Sequence, residues 1–201
     1  MGTVANPLFS PETRPTRTRS RELAPSGVVG VLIFILTEIM FFAGLLSAFT
    51  ITRATAVMAM WPPPGQPRLP AENTLVNTGV LLLSGLVLAF GHWRFRKSAA
   101  EVKGPLLAAL ILGTTFVALQ GVEWVALLRQ GLTLQSGSHG AFFYLIVGAH
   151  GLHAVVALAS LGWALALAFR GRLKPTQLYT VETFWYFVVL LWPIIYTRVY
   201  F

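Results

Sequence analysis

Apolar residues fall into five long runs, roughly 27–52, 74–93, 105–128, 141–169 and 178–197, and polar residues, prolines and basic side chains fill the gaps between them. Each run is near or above the ~20 residues that a helix rising 1.5 Å per residue needs to cross ~30 Å of hydrocarbon. Only Glu38, Glu123 and Glu182 interrupt the runs with a formal charge. The pattern predicts an all-α fold: a polytopic membrane protein whose residues 27–201 form a bundle of five transmembrane helices. The second run is short for a span, and the fourth is long enough to tilt or to begin outside the bilayer. The connections at 94–104, 129–140 and 170–177 are short, so the helices they join should be antiparallel neighbours. The 53–72 connection contains Trp61-Pro62-Pro63-Pro64, then Pro67 and Pro70. Consecutive prolines cannot continue a helix and favour extended backbone. This segment should therefore be a structured loop, with Trp61 at the membrane interface. No internal repeat and no separate soluble domain is visible.

Composition agrees with lipid as the solvent. Of 201 residues, 55% are hydrophobic and 11% charged, against about 25% charged in an average soluble domain. A net charge of +8 resembles that of a nucleic-acid binder, but the placement of the basic residues argues otherwise. Arg14, Arg17, Arg19 and Arg21 precede the first run; Arg94, Arg96, Lys97 and Lys103 follow the second; Arg170, Arg172 and Lys174 follow the fourth. The alternate side receives only Arg53, Arg68, Arg129 and Arg198. The excess of basic residues on one side predicts a cytoplasmic amino terminus and an exterior carboxyl terminus, in a bacterial inner membrane. The high charge is then a signal of topology, aided by anionic lipid, and no nucleic-acid partner is expected. Residues 1–26 are a polar Arg- and Pro-rich tail. No short apolar core with a small-residue cleavage site precedes residue 27, so a secretory signal is not expected. A tail of this composition should be disordered alone and held by a neighbouring subunit.

Candidate chemistry is confined to a few intramembrane polar residues. Glu38 falls near the middle of the first run. An unpaired charge there costs several kcal/mol, so the group should be protonated, hydrogen-bonded or both. A proton-handling role competes with a plainer one, a neutral acid tying two helices together. The plainer role carries more weight, because no second acid, Lys or Arg sits at the same depth. His150 and His153, in His-Gly-Leu-His, share one side of the fourth helix. That side continues through Ala157, Ser160, Ala164 and Ala168, small residues that permit close helix contact. Glu38 and His153 reach similar depth from opposite ends, which predicts facing helices and direct or water-bridged contact. Gln120 and Glu123 share a face of the third helix with Gly113 and Ala109, level with about Tyr144 and Val147 of the next. Helix-to-helix hydrogen bonding is favoured over transport there.

Spacing disfavours cofactors bound by this chain. A bis-histidine haem needs two histidines on different helices at one depth; His92 and His139 lie at opposite ends, and His150 and His153 share a helix. A zinc or di-iron site needs three or more convergent ligands, and no Glu-x-x-His motif is present. Cysteine is absent, as is aspartate, and no phosphate loop or serine-histidine-acid set occurs. No catalytic centre of its own is expected.

Several segments resemble the haem-copper oxidase subunit III family (cytochrome c oxidase subunit 3). Leu36-Thr37-Glu38-Ile39-Met40-Phe41-Phe42-Ala43-Gly44 is similar to the family's acid-containing first-span motif. Trp61-Pro62-Pro63, followed by Leu69-Pro70-Ala71-Glu72-Asn73-Thr74, resembles its loop and second-span passage. Gln120-Gly121-Val122-Glu123-Trp124, Gly131-Leu132-Thr133 with Ser136-Gly137, and Gly148-Ala149-His150-Gly151-Leu152-His153 follow in family order. The resemblance implies a non-redox subunit docked on catalytic subunit I, which would hold the haem and copper, alongside other respiratory-complex subunits. It further implies roles in assembly, stability and sustained proton uptake, with phospholipid bound. It corresponds to a short five-helix form, lacking the first two of the seven helices of longer members. One departure is plain: where the family's last helix carries His and Asp after its first Trp, this chain has Tyr186 and Val189 after Trp185. Two other classes compete with this reading: an accessory membrane subunit of a nitric-oxide reductase, and an independent small transporter or proton channel. Transporters often show repeated halves and broken helices, and neither is visible here.

Overall fold

The computed structural model describes residues 26–56, 61–95 and 99–201. Five helices account for most of it: α1 (Ser26–Ala54), α2 (Ala71–Phe95), α3 (Lys103–Arg129), α4 (Ser138–Phe169) and α5 (Pro175–Val199), with a 3-10 turn at Ala99–Val102 before α3. All five are long and apolar enough to cross a membrane, and among the described residues there is no strand. The amino-terminal tail with its four arginines, and Arg96 and Lys97 in the second connection, lie outside the described residues.

The helix limits extend the apolar runs by a few residues. The second run looked short because polar Glu72, Asn73 and Thr74 open it, yet α2 is 25 residues long. Its first turn begins just after Pro70, and Thr74 returns its hydroxyl to the Pro70 carbonyl at 2.9 Å. α3 and α4 end alike. Gly131 (φ 88°) and Gly171 (φ 65°) take the left-handed conformation. Leu132 N–H then donates to the Leu127 carbonyl at 3.0 Å and Arg172 N–H to that of Leu167 at 2.9 Å, each closing its helix with a left-handed cap. α5 starts with Pro175 in its first turn behind an extended Lys174, where proline's missing N–H costs nothing.

Helices α2, α3, α4 and α5 form a closed four-helix group, α2 against α3, α3 against α4, α4 against α5 and α5 against α2. The three short connections do join packed neighbours. Helix α1 stands outside this group, packed on α5 and α4. Its inward stripe carries Phe42 and Phe49, both 1% exposed, while Leu32, Ile33, Met40 and Ile51 face outward. Helix α5 is central, touching α1, α2 and α4. Its fully buried Trp185 and Trp192 are the largest side chains of the core. Gly113 makes room for one of them: a Cβ there would stand 2.5 Å from the Trp185 ring and 2.8 Å from Leu158. One end of the bundle gathers the Trp61 loop, the start of α4 and the last residues of α5; the other gathers His92, the start of α3 and the start of α5.

Candidate functional site

Glu38 and His153 meet at mid-bundle, with His153 Nε2 3.1 Å from Glu38 Oε2. Both sit about 18–24 Å along their helices at 1.5 Å per residue. The other ring nitrogen of His153 lies 2.7 Å from the Ala149 carbonyl. A carbonyl only accepts, so Nδ1 is the donor in that bond. Nε2 and Oε2 then share a single remaining proton, either as carboxylic acid and neutral imidazole or as carboxylate and imidazolium. In both forms the pair is neutral overall, which is what hydrocarbon demands of an acid at this depth. Aromatic rings surround it: Phe42, Phe34, Phe184 and Phe187 lie 5.6, 6.2, 6.4 and 6.4 Å from the imidazole by centroids.

His150, one turn away on α4, faces other neighbours. Its ring tilts against Trp192 at 4.9 Å and meets Phe116 edge-on at 6.3 Å. It is 1% exposed. His150 and His153 therefore share a side of α4, as their spacing requires, but serve different contacts, His150 with Phe116 of α3 and Trp192 of α5, His153 with Glu38 of α1 and the phenylalanines of α1 and α5. Of the small-residue stripe, Ala157, Ala164 and Ala168 are buried and Ser160 half-buried.

Gln120 and Glu123 belong to a polar ladder between α3 and α2. Thr74 donates to Glu123 Oε2 at 2.9 Å, and Gln120 Nε2 donates to the same oxygen at 3.0 Å. Gln120 Nε2 also lies 3.1 Å from the Tyr200 hydroxyl, and Asn77 Nδ2 donates to Gln120 Oε1 at 3.3 Å and to the Phe116 carbonyl at 3.2 Å. Burial, and secondarily the Glu123 carboxylate, holds the Tyr200 phenol above its ordinary range, so it stays protonated. The expected level with Tyr144 is met by an aromatic contact, Trp124 to Tyr144 at 5.6 Å. The hydrogen bonds, however, run to α2, through Thr74 and Asn77 near its start.

A second acid–histidine pair escaped the sequence reading. His92 Nδ1 lies 2.6 Å from Glu182 Oε2, joining α2 to α5 at the His92 end. Glu182 is almost wholly buried (3% exposed side chain), His92 is 37% exposed, and Tyr179 stacks beside the imidazole at 5.2 Å. The signal available was Glu182 itself, the third acid inside an apolar run, about two turns from its helix start as His92 is about one turn from its helix end. Three further bonds tie α5 to α2: Trp185 Nε1 to Ser84 Oγ at 3.1 Å, Trp192 Nε1 to Thr78 Oγ1 at 2.9 Å, and Tyr196 hydroxyl to the Ala71 carbonyl at 2.8 Å. The seven-residue spacing of Trp185 and Trp192 puts both indoles on one face. Among the described residues no group of three or more His or Glu side chains converges to hold a metal.

The polar side chains singled out in the sequence thus do not converge on one centre: Glu38 pairs with His153, Gln120 and Glu123 join the ladder to α2, and His150 makes ring contacts while neither of its ring nitrogens has a hydrogen-bond partner among the described residues. Comparison with known proteins gives this arrangement a family. The family described as "Cytochrome c oxidase subunit III" matches residues 22–201. A probable cytochrome c oxidase subunit 3 of Mycobacterium leprae is 32% identical over 179 residues, 86% of each chain, and that of Nocardia farcinica 30% identical over 177 residues, also 86% of each. The cytochrome c oxidase subunit 3 of Neurospora crassa is 31% identical over 183 residues, 86% of this chain but 66% of the fungal one. The chain thus spans about two thirds of the length of such longer relatives. On the match over nearly its whole length, this chain belongs to the cytochrome c oxidase subunit III family.

Proposed function

We propose that the chain serves as the non-redox subunit III of a haem-copper terminal oxidase, docked on the catalytic subunit that carries haem and copper. The reading rests on one conjunction. The family match runs almost end to end, and the intramembrane acids are each engaged by a side chain of another helix: Glu38 by His153, Glu123 by Thr74, Glu182 by His92. Groups spent in this way stiffen a scaffold. In this reading Glu38, His150, His153, Gln120 and Glu123 hold the helices in register, supporting assembly, stability and proton uptake of the catalytic subunit without conducting protons themselves. The surplus of basic residues at the His92 end supports a cytoplasmic amino terminus in a bacterial inner membrane. The matching length of the Mycobacterium leprae and Nocardia farcinica relatives supports a short bacterial form.

Purification of the tagged chain in mild detergent tests this directly. A haem-bearing partner, visible in the absorption spectrum of the eluate, is expected to co-migrate with it. A stable homo-oligomer free of haem would overturn the proposal, and so would visible absorption from the isolated chain.

A further inference from the structure

One side of α5 is left uncovered by its neighbours. Tyr179, Thr183, Tyr186, Leu190, Ile194 and Thr197 recur at three- and four-residue spacing and so share one face. All are half-buried or exposed, whereas Phe187, Val188 and Val189 among them are buried. Two hollows follow this stripe. At the His92 end, one of about 340 Å³ is lined by Ala89 and His92 of α2 with Tyr179, Glu182, Thr183 and Tyr186 of α5. Toward the Trp61 end, one of about 350 Å³ is lined by Leu46, Ser47, Thr50 and Ile51 of α1 with Ile194 and Arg198 of α5. Together they make a groove along α5, flanked by α2 over one half and α1 over the other.

Most hydroxyls that this molecule exposes along its helices are already engaged. Thr37, Thr114 and Thr115 return theirs to carbonyls of their own helices, and Thr50, Thr183 and Thr197 do the same within the groove. The hydroxyls of Tyr186 and Ser47 have no hydrogen-bond partner among the described residues, and exposed Arg198 has no carboxylate partner there. Tyr186 stands halfway along the 25-residue α5. A phenol O–H at that depth is costly unless bonded, and acyl chains carry no acceptor. Whatever fills the groove must bring polar atoms to mid-membrane, which a protein helix can do and lipid tails cannot.

We propose that this groove seats one transmembrane helix of the neighbouring catalytic subunit, a helix that brings a side-chain acceptor to Tyr186 and a carboxylate to Arg198. The inference rests on the reading of the chain as a docked oxidase subunit and adds which face docks. Small Ala89 and Ser47 on the two flanks let backbones approach closely. Two polar contacts at different depths also fix register, because sliding the incoming helix by one turn, about 5.4 Å, would break both.

Photocrosslinking in the native membrane, with the chain in its complex, tests the surface. Benzoylphenylalanine in place of Leu190, in the groove, should join the chain to the haem-bearing subunit. The same probe in place of Leu152, exposed on α4, should not. Tyr186→Phe removes one oxygen and keeps the ring, so the thermal midpoint of the isolated chain should not move. Release of the haem-bearing subunit on detergent challenge should quicken about three- to tenfold, as loss of one hydrogen bond between membrane helices does. Tyr186→His, which returns a ring N–H, should recover part of that loss. Crosslinks to the haem-bearing subunit from Leu152 and not Leu190, crosslinks from Leu190 to a second copy of this chain, or release from Tyr186→Phe at the wild-type rate would overturn the docking surface and leave the docked-subunit reading standing. Failure of the unmodified chain to bring down any haem-bearing partner would overturn both.

Discussion

An acid in hydrocarbon must keep its proton or share it, and Glu38 shares. Because His153 commits Nδ1 to the Ala149 carbonyl, a replacement at 38 is judged by what it offers Nε2. Glu38→Gln supplies an amide N–H in nearly the same place and should preserve the contact. Glu38→Ala leaves the imidazole facing a void and should cost about 1–2 kcal/mol, the upper range for an interhelical hydrogen bond in a membrane. Thermal unfolding of the two variants in detergent should rank them in that order, and the retained complex of either should begin turnover at the wild-type rate. An immediate collapse of electron transfer in fully assembled Glu38→Gln would contradict a structural role. Gly113 makes an opposite demand, for space. Gly113→Ala pushes a methyl into the buried Trp185 ring and the half-buried Leu158, and should destabilise by about 1–3 kcal/mol as overpacking does. A midpoint equal to wild type would show that α3 and α5 pack less closely than the geometry indicates.

At the scale of helices, α1 is the separable element. Among the described residues its contacts with α5 and α4 include Phe34, Phe42, Phe49 and the Glu38–His153 pair, with Gly27 near Thr180 at its first turn. Lipid tails are as apolar as leucine, so no hydrophobic force presses α1 onto the bundle; packing and hydrogen bonds hold it there. The absence of cysteine makes this measurable. A Cβ at Gly27 would lie 2.9 Å from Thr180 Oγ1, so Gly27→Cys with Thr180→Cys should form a disulfide on mild oxidation. Adding Phe42→Ala should reduce its yield several-fold by loosening the helix. Unchanged yield would mean that something other than these contacts, such as the Trp61 loop, fixes α1. Helix α5 is bound differently, since Trp185, Trp192 and Tyr196 donate in sequence along α2, and no single substitution should free it.

For the molecule as a whole, five alternating spans would put the start of α1 and the end of α5 on opposite sides of the membrane, and the excess of basic residues at one end of the bundle is expected to mark the cytoplasmic side. A periplasm-active reporter fused after Phe201 should be active, and the same reporter fused after Arg172 should be silent. The reverse pattern would invert the orientation. The amino-terminal tail, outside the described residues, is expected to be held by a neighbouring subunit. Removal of residues 2–22 should then weaken co-purification of the haem-bearing partner, and undiminished recovery would count against that contact.

Span number, approximate span limits and the facing of Glu38 and His153 were legible in the sequence by itself, because each is set by length and depth along an axis. A run of apolar residues can only be as deep as it is long, and two groups at equal depth on antiparallel helices can meet. Which helices are neighbours is a question about the other two dimensions, and no periodicity answers it when lipid and protein interior are equally apolar. Only the tertiary structure could place α1 outside the four-helix group, send the Gln120–Glu123 ladder to α2, and join His92 to Glu182. It alone also showed the stripe from Tyr179 to Thr197 to be the uncovered side of α5, since the face a helix turns away from its neighbours is fixed only once those neighbours are in place.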